Sequence, residues 1–439
     1  MTESRGLTIC FALLVVLVAL APVFALSAGR ISPQLINIAA ALLLLLLPSA
    51  PEGDVGSSLA IFKPLAVTAL LPAGWMLLQI LPLPAGSIEH PVWRSAAAAL
   101  PDSLSGHISI DLGFTLRGLF GYLSLISLAF VTCVLTRNRE RAETILATLC
   151  TITTFIAMEL LLFRDLAVLK PANSTDDLTS SLVALAAFGV VLNLAFVVRG
   201  AERYETRSGR PGQPLRSFVG LMLLGTAGAV VCLVALITYA TYDVLIDTAF
   251  GLVVVGLVIL IRRLNLARWT ATTLCAAVLV ACGGVIALRF AANSSLSPLF
   301  RFAKIRSADA VAATLRMMAD ANWTGDGVGT YQALAAIYRD ADGAPGPAAI
   351  NTITSIVLEW GRVGILMVFL LVIQLLVMLF RGALARGRDS FYAAGAAACL
   401  VVAFCEAYCD ASFTTVTVQM TAAIIVGLGL AQTTGRKAG

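Results

Sequence analysis

The sequence predicts an all-α, polytopic integral membrane protein with about twelve transmembrane helices and one large outward-facing loop between helices 9 and 10. Two observations predict this fold class. First, 59% of the 439 residues are apolar and only 13% are charged, whereas a soluble domain is about one quarter charged. Second, the apolar residues form runs long enough to cross a bilayer, where a helix satisfies its own backbone hydrogen bonds. These observations exclude a soluble fold.

Twelve apolar stretches of about 20 residues are candidate transmembrane helices. The first resembles a signal peptide, because Arg5 precedes an apolar run that ends in small residues. Eleven further stretches favour a retained first helix. The twelve stretches are residues 7–26, 33–49, 63–82, 116–136, 143–163, 179–198, 217–239, 244–261, 269–290, 352–380, 391–409 and 412–432.

The basic residues of the short loops predict the orientation, because Lys and Arg resist translocation across the membrane. With the N-terminus inside, 18 of the 30 Lys and Arg residues fall in cytoplasmic segments. Both termini are therefore predicted to be cytoplasmic, and loops 83–115 and 291–351 face outward. The chain divides into helices 1–9 over residues 1–290, the large loop over residues 291–351, and helices 10–12 over residues 352–439.

The large loop is the predicted location of a functional site, because function concentrates in loops held by a rigid scaffold. Apolar spacing predicts an amphipathic helix over Ser307–Asp320 and a shorter helix near Tyr331–Tyr338. Between them, Gly325, Gly327 and Gly329 resemble a phosphate-binding turn. A dinucleotide fingerprint needs a preceding strand in a βαβ unit. The sequence therefore favours a tight turn that re-enters the bundle over a nucleotide site.

Net charge and cysteine content do not indicate nucleic-acid or metal chemistry. The net charge of +5 comes from Lys and Arg clusters between apolar runs, which are typical topology signals rather than a basic face for nucleic acid. All nine cysteines lie in or beside apolar runs, where they are small packing residues. Cys405 and Cys409 share a helical face, but no His lies near them in sequence. We therefore predict no metal site and no cofactor.

Ionisable residues within apolar stretches are candidates for function, because each costs about 3 kcal/mol at membrane depth. Glu359 and Arg362 lie one helical turn apart, so a mutual ion pair near the outer interface is one interpretation. The other acids in or beside apolar stretches are Glu159, Asp243, Asp247, Glu406 and Asp410. The first and the last two of these acids could form the proton relay of a transporter, or could simply be solvated near helix ends, whereas solvation is favoured for Asp243 and Asp247 at their short outward turn. Both interpretations stay open.

The basic residues of the large loop form a second candidate site. Arginine holds phosphate oxygens bidentately, and a lipid with a phosphorylated head group would meet the loop at this depth. Snorkelling toward anionic lipid explains the same residues, and both interpretations stay open. The cluster is Arg301, Lys304 and Arg306, with Arg289, Arg316 and Arg339 nearby in sequence.

Three parts of the chain carry sequence motifs that are informative when they are taken together. The first comprises Leu77–Pro84, LLQILPLP, and Gly106–Tyr122, GHISIDLGFTLRGLFGY. The second is Ala313–Tyr331, ATLRMMADANWTGDGVGTY, which is similar to a segment ending in G-x-G-x-G-[TS]-[FY]. The third is Ala349–Gly364, AINTITSIVLEWGRVG, which is similar to H-N-x-x-L followed by E-x-G-x-x-G. In their order and spacing these motifs resemble those of the bacterial O-antigen ligase and polysaccharide polymerase superfamily, and the resemblance extends over most of the chain.

The resemblance implies transfer of a glycan from undecaprenyl diphosphate to an acceptor sugar hydroxyl at the periplasmic face of a bacterial inner membrane. The acceptor is a glycan or lipid A-core, and no nucleotide sugar or metal is needed. Cations would stabilise the departing diphosphate, and a base would receive the acceptor proton. The chain departs from the family where Ile350 replaces the motif His, and where residues 238–250 lack a Ser-Arg pair. Its only histidines are His90 and His107.

These motifs predict two sets of site residues. The candidate bases are Glu359, Asp340 and His107. The candidate ligands of the donor and the acceptor are Arg289, Arg301, Lys304, Arg306, Arg316, Arg339, Asn351 and Arg362. One alternative is a non-catalytic relative within a polysaccharide synthesis complex, which the missing motif histidine favours. Another is a secondary transporter or flippase, for which inverted repeats and broken helices would be expected, and the sequence shows neither clearly.

Overall fold

A computed structural model describes residues 5–26, 32–84, 88–100, 105–162, 172–207, 215–266, 268–292, 298–303, 308–338, 349–385 and 389–433. Only the backbone is described for residues 172–177, 202–207, 215–219, 268 and 292. Four of the predicted site residues, Lys304, Arg306, Arg339 and Asp340, lie outside the described residues.

The described chain is helical, as the apolar runs predict. Its helices are α1 (Arg5–Ala19), α2 (Ala21–Leu26), α3 (Ser32–Leu46), α4 (Glu52–Phe62), α5 (Ala66–Ile80), α6 (Pro91–Ala99), α7 (Leu112–Leu135), α8 (Arg139–Leu162), α9 (Ala172–Arg207), α10 (Leu215–Tyr239), α11 (Tyr242–Arg263), α12 (Arg268–Ala292), α13 (Ala308–Asp320), α14 (Tyr331–Tyr338), α15 (Thr352–Ala385), α16 (Ser390–Cys409) and α17 (Val416–Ala431). No strand occurs within the described ranges, where one isolated antiparallel bridge joins Leu83 to Gly106.

Ten helical segments are long and apolar enough to cross a membrane, with mean hydropathies between 1.6 and 3.0. They coincide with ten of the twelve predicted spans. The remaining two stretches contain α1 and α17, which have 15 and 16 residues. At 1.5 Å per residue these helices are about 22–24 Å long, which is less than the hydrocarbon core of about 30 Å. The fold is that of a polytopic membrane protein, and the count of twelve spans stays a prediction.

Helices α9 and α16 form the centre of the bundle. Most residues in their apolar segments are buried, and the small residues of Ala393–Ala398 in α16 allow neighbouring helices to approach closely. Outer helices keep large apolar side chains exposed, among them Leu279 and Leu288 of α12. In water so much exposed apolar surface would promote aggregation, whereas in a bilayer the lipid covers it.

The two predicted loops meet at one end of the bundle, which we call the loop face. The first loop contains α6, and the second contains α13 and α14. Helix α13 coincides with the predicted amphipathic helix, beginning at Ala308, and α14 coincides with the second predicted helix at Tyr331–Tyr338. Which side of the membrane the loop face occupies stays a prediction.

Helix α15 is broken at Gly361, where φ is +70° and ψ is −174°. The break releases carbonyl groups from the helical hydrogen-bond ladder, and partners outside the helix use them. The carbonyl of Leu358 accepts the backbone N–H of Asp326 at 2.9 Å, and the carbonyl of Glu359 accepts that of Gly327 at 3.0 Å. A Cβ on residue 361 would collide with backbone atoms of residues 323–325, so the position requires glycine.

Gly361→Ala should lower the free energy of unfolding by about 1–3 kcal/mol, because alanine at this positive φ is strained and its Cβ has no space. Thermal unfolding of the purified protein in detergent micelles measures the effect. Gly256→Ala is the matched control, since a Cβ on this α11 glycine would meet nothing within 4 Å. That control should stabilise the helix by up to about 1 kcal/mol. Equal midpoints for the two variants would contradict the prediction.

Candidate functional site

The first loop, the glycine turn (residues 325–329) and the end of α5 meet at the break in α15, in a contact region that we call the junction. Gln79 of α5 donates through Nε2 to the carbonyl oxygens of Thr324 and Glu359, at 3.1 and 3.0 Å. Ile110 of the first loop donates its backbone N–H to the carbonyl oxygen of Asp326 at 2.9 Å. The junction thus joins all three parts of the chain that carry the resemblance.

The glycine turn has three backbone positions that only glycine can occupy without strain. Gly325, Gly327 and Gly329 have φ values of +76°, +106° and +81°. A Cβ on Gly325 would collide with the backbone of Gly361, and a Cβ on Gly327 would collide with the side chain of Ser109. The structure therefore contains the tight turn against the bundle that the sequence favoured.

The side chain of Glu359 fills the inside of the turn. Its Oε1 accepts the backbone N–H of Tyr331 at 3.1 Å, and the backbone of Gly329 is a second donor. These N–H groups are occupied by the protein's own carboxylate, so they are not available to a phosphate. Among the described ion pairs none joins Glu359 to Arg362. The predicted pair does not form, because the break at Gly361 removes the helical geometry between the two residues.

His90 and Asp326 face each other across the junction, a pair that the sequence motifs did not single out. Nε2 of His90 lies 3.5 Å from Oδ1 of Asp326, and Nδ1 of His90 accepts the backbone N–H of Val92 at 3.2 Å. A neutral His90 therefore carries its proton on Nε2, facing the carboxyl group. Burial raises the pKa of Asp326 to about 7 and lowers the pKa of His90. One feature of the sequence could have indicated Asp326 as a site residue, because it is the one acid within the glycine turn.

The free energy of unfolding should depend on the protonation of Asp326. An unfolded Asp has a pKa of about 3.9, so between about pH 4 and pH 7 the folded state binds more protons, and stability falls as pH rises. His90 has the opposite effect, because its lowered pKa removes stability as pH falls below about 6.5. Comparison of unfolding midpoints against pH for wild type and Asp326→Asn isolates the carboxyl. Identical pH profiles would contradict this assignment.

His107 has a defined tautomer and places a basic nitrogen beside an exposed hydroxyl group. Its Nδ1 lies 2.8 Å from the carbonyl oxygen of Ile80, which can only accept, so Nδ1 carries the hydrogen. Its Nε2 lies 3.3 Å from Oγ of Ser105, which donates to it. Trp93 packs edge-on against the ring, with centroids 5.1 Å apart. The ring of His107 is buried, but Ser105 is exposed, so displacement of the Ser105 hydroxyl would open this nitrogen to a ligand hydroxyl.

Two predicted phosphate ligands, Arg289 and Arg301, lie beside each other near the end of α12. Arg289 forms an ion pair with Asp243 of α11 and packs over the ring of Phe302. Arg301 donates to the carbonyl oxygen of Phe290 at 2.8 Å, and its guanidinium lies 3.7 Å from the centroid of that ring. Both guanidinium groups are therefore engaged by the protein's own side chains and backbone.

Arg316 and Arg362 are exposed at the loop face. Arg316, on α13, donates through Nε to the carbonyl oxygen of Ala312 at 3.3 Å. Arg362 donates its backbone N–H to the carbonyl oxygen of Trp323 at 2.9 Å, which holds it beside the glycine turn. Of the predicted phosphate ligands within the described ranges, these two are the exposed residues.

Asn351 is fully buried at the start of α15. Its Nδ2 donates to the carbonyl oxygens of Leu299 and Tyr408, at 2.7 and 2.9 Å. Its Oδ1 accepts the backbone N–H of Thr354 at 2.8 Å and the hydroxyl of the same residue at 2.5 Å. Every hydrogen-bonding position of the amide is used, so Asn351 links three segments of the chain. The sequence predicted instead that Asn351 binds substrate.

Within the described part of the chain, no group of three or more His, Cys, Asp or Glu side chains is arranged to hold a metal ion. A comparison of the chain with models of known protein families and with curated proteins finds no match. A functional interpretation of the junction therefore depends on its own residues and on the resemblance of the three parts of the chain that meet there.

Proposed function

We propose that the protein is a surface-polysaccharide glycosyltransferase of the ligase or polymerase type. It transfers a glycan from undecaprenyl diphosphate to a glycan or lipid A-core acceptor at the periplasmic face of a bacterial inner membrane, with both termini cytoplasmic. One observation carries the proposal: the three parts of the chain that resemble the superfamily converge at the junction. Gln79 of the first part bonds to Thr324 of the second and to Glu359 of the third.

His107 is the base in this proposal. Its Nε2 accepts the proton of an acceptor hydroxyl that takes the place of the Ser105 hydroxyl. The acceptor oxygen attacks the anomeric carbon of the donor, and the bond from that carbon to the diphosphate oxygen breaks with its electron pair leaving on the diphosphate. The hydrogen bond from Nδ1 to the carbonyl of Ile80 orients the ring and stabilises the imidazolium that forms.

Arg316 and Arg362 supply positive charge for the leaving diphosphate. Their exposed guanidinium groups can hold phosphate oxygens bidentately as negative charge develops on the leaving group. Glu359 positions the glycine turn in this proposal and does not react, because two backbone N–H groups hold its carboxylate. The predicted ligands Lys304, Arg306 and Arg339 and the predicted base Asp340 remain further proposals.

Deletion of the gene, with separate analysis of lipopolysaccharide, capsule and secreted polysaccharide, tests the proposal. Loss of a ligase should leave complete chains on undecaprenyl diphosphate, and loss of a polymerase should leave short repeat units. Unchanged glycans in all three fractions would contradict glycosyl transfer. Complete carrier-linked glycan trapped on the cytoplasmic side would favour the flippase alternative. Full rescue of the deletion by each of His107→Asn, Glu359→Gln and Asp340→Asn would favour a non-catalytic organiser of a synthesis complex.

A further inference from the structure

Glu406 lies inside the bundle near the end of α16 at the loop face. Its side chain is fully buried, and neither carboxyl oxygen has a hydrogen-bond partner among the described residues. Simple solvation, one of the two interpretations that the sequence allowed, therefore does not apply. A buried carboxylate without a partner costs several kcal/mol, so its negative charge requires compensation.

Two further carboxyl groups face Glu406. Asp410 lies one helical turn further along the chain and Asp247 belongs to α11, and both interact electrostatically with Glu406. Asp247 accepts a hydrogen bond from Sγ of Cys409 at 3.1 Å, and Asp410 accepts the backbone N–H of Ser412 at 2.9 Å. Three negative charges that interact with one another in an apolar bundle would repel. The cluster therefore requires a positive charge from outside these three side chains.

Among the described residues, Arg289 is the basic side chain that approaches the cluster. It reaches Cys405 of α16, but its guanidinium is already paired with Asp243. The other titratable groups beside the carboxyls are the thiols of Cys405 and Cys409, with Cys282 of α12 next to Cys405. On α15, Glu359 is turned toward the glycine turn. The described side chains do not converge as metal ligands, which favours a proton over a metal ion.

A small pocket with several polar side chains in its lining, which we call the polar pocket, reaches the cluster at Asp410. Asp410 and Cys409 line it together with Ser180 of α9 and Thr241, which precedes α11. Tyr239 adds the one further titratable side chain of the described pocket lining. The free space of about 10 Å³ is close to what one water molecule needs. Hydroxyl groups and one water can pass a proton between the aqueous loop face and the carboxyls.

We propose that Glu406, Asp247 and Asp410 form a proton-binding site within the bundle, which exchanges its proton with water at the loop face through the polar pocket. The proton adds to a carboxylate oxygen of the cluster and returns by the same route, so the charge between α11 and α16 follows the pH of the outer compartment. The site is separate from the proposed glycosyl transfer, because none of its three carboxyls belongs to the junction.

Labelling with dicyclohexylcarbodiimide tests this proposal, because this apolar reagent attaches covalently to protonated carboxyl groups in membrane interiors. The full chain in lipid nanodiscs is treated from about pH 5 to about pH 9, and labelled peptides are mapped by mass spectrometry. We expect labelling at Glu406 that declines as pH rises and is lost in Glu406→Gln. Glu143 is the internal control, since Arg199 and Arg139 hold its carboxylate and it should stay unlabelled.

Asp410→Asn should preserve the fold and still test the proposal, because asparagine retains the Oδ1 acceptor for the backbone N–H of Ser412. Removal of this neighbouring charge should shift the decline in Glu406 labelling to lower pH by about one unit. No labelling of Glu406 at any pH would overturn the proposal, as would constant labelling across the range, which indicates a carboxyl that does not exchange. Protection by Na⁺ but not by choline would also overturn it in favour of a sodium site.

Discussion

Replacement of His107 by Asn should reduce glycan transfer by about 10²–10⁴-fold, the contribution of a well-placed general base. The Nδ2 amide of asparagine can keep the hydrogen bond that Nδ1 of His107 donates to Ile80, while the basic Nε2 beside Ser105 is lost. The measurement is the ratio of transferred to carrier-linked glycan in a deletion strain that expresses the variant. Immunoblotting checks that the protein level is unchanged.

His90→Asn is the matched control, because it alters the chain's other histidine. Asparagine retains an acceptor for the backbone N–H of Val92, as Nδ1 of His90 does, and His90 has no proposed role as base. Transfer should stay close to wild type. Equal losses in the two variants would indicate a general effect on the first loop. Normal transfer in His107→Asn would exclude His107 as base and leave Asp340 as the predicted base still to be tested.

Glu359→Ala should lower the free energy of unfolding by about 1–3 kcal/mol for each backbone N–H left without an acceptor. The two affected groups are those of Tyr331 and Gly329, which Glu359 holds inside the glycine turn. Thermal unfolding of the purified protein in detergent measures the loss. Transfer should fall together with stability, because Arg362 is held beside the turn through its backbone hydrogen bond to Trp323.

Glu359→Gln separates a structural role from a catalytic one. Glutamine keeps a side-chain oxygen for the Tyr331 N–H, but its amide cannot accept a proton as a base. We expect most of the stability and most of the transfer activity to remain. A stable Glu359→Gln protein without transfer activity would show that Glu359 is the base, and would contradict its assignment as a positioning residue.

The helices of the bundle follow from the sequence, because a long apolar run in lipid has to satisfy its own backbone hydrogen bonds. Apolar spacing likewise predicted α13 and α14, and glycine spacing predicted the tight turn. The number of spans stays a prediction, because an apolar run is not equivalent to one helix. The last run includes a short 3-10 turn at Ser412–Thr414, so α17 begins only at Val416.

The site could be predicted only in part, because a motif shows residue types but not which hydrogen bonds they form. Asn351 and Glu359 stood out in the sequence, yet the structure uses the Asn351 amide to join Leu299 to Tyr408. His90 and Asp326 lie in different loops and pair only through the fold. No local pattern links two such residues, and a single sequence gives no signal for long-range contacts.

During synthesis the loop face stays incomplete until the broken helix α15 has been made. Trp75 and Gln79 of α5 donate to the carbonyl oxygens of Trp360 and Glu359, which follow them by 285 and 280 residues. Contacts this distant form late, because chain entropy opposes them until the intervening helices are in place. A chain released before Thr352 has been made would therefore lack the carbonyl partners of both donors and could not complete the junction.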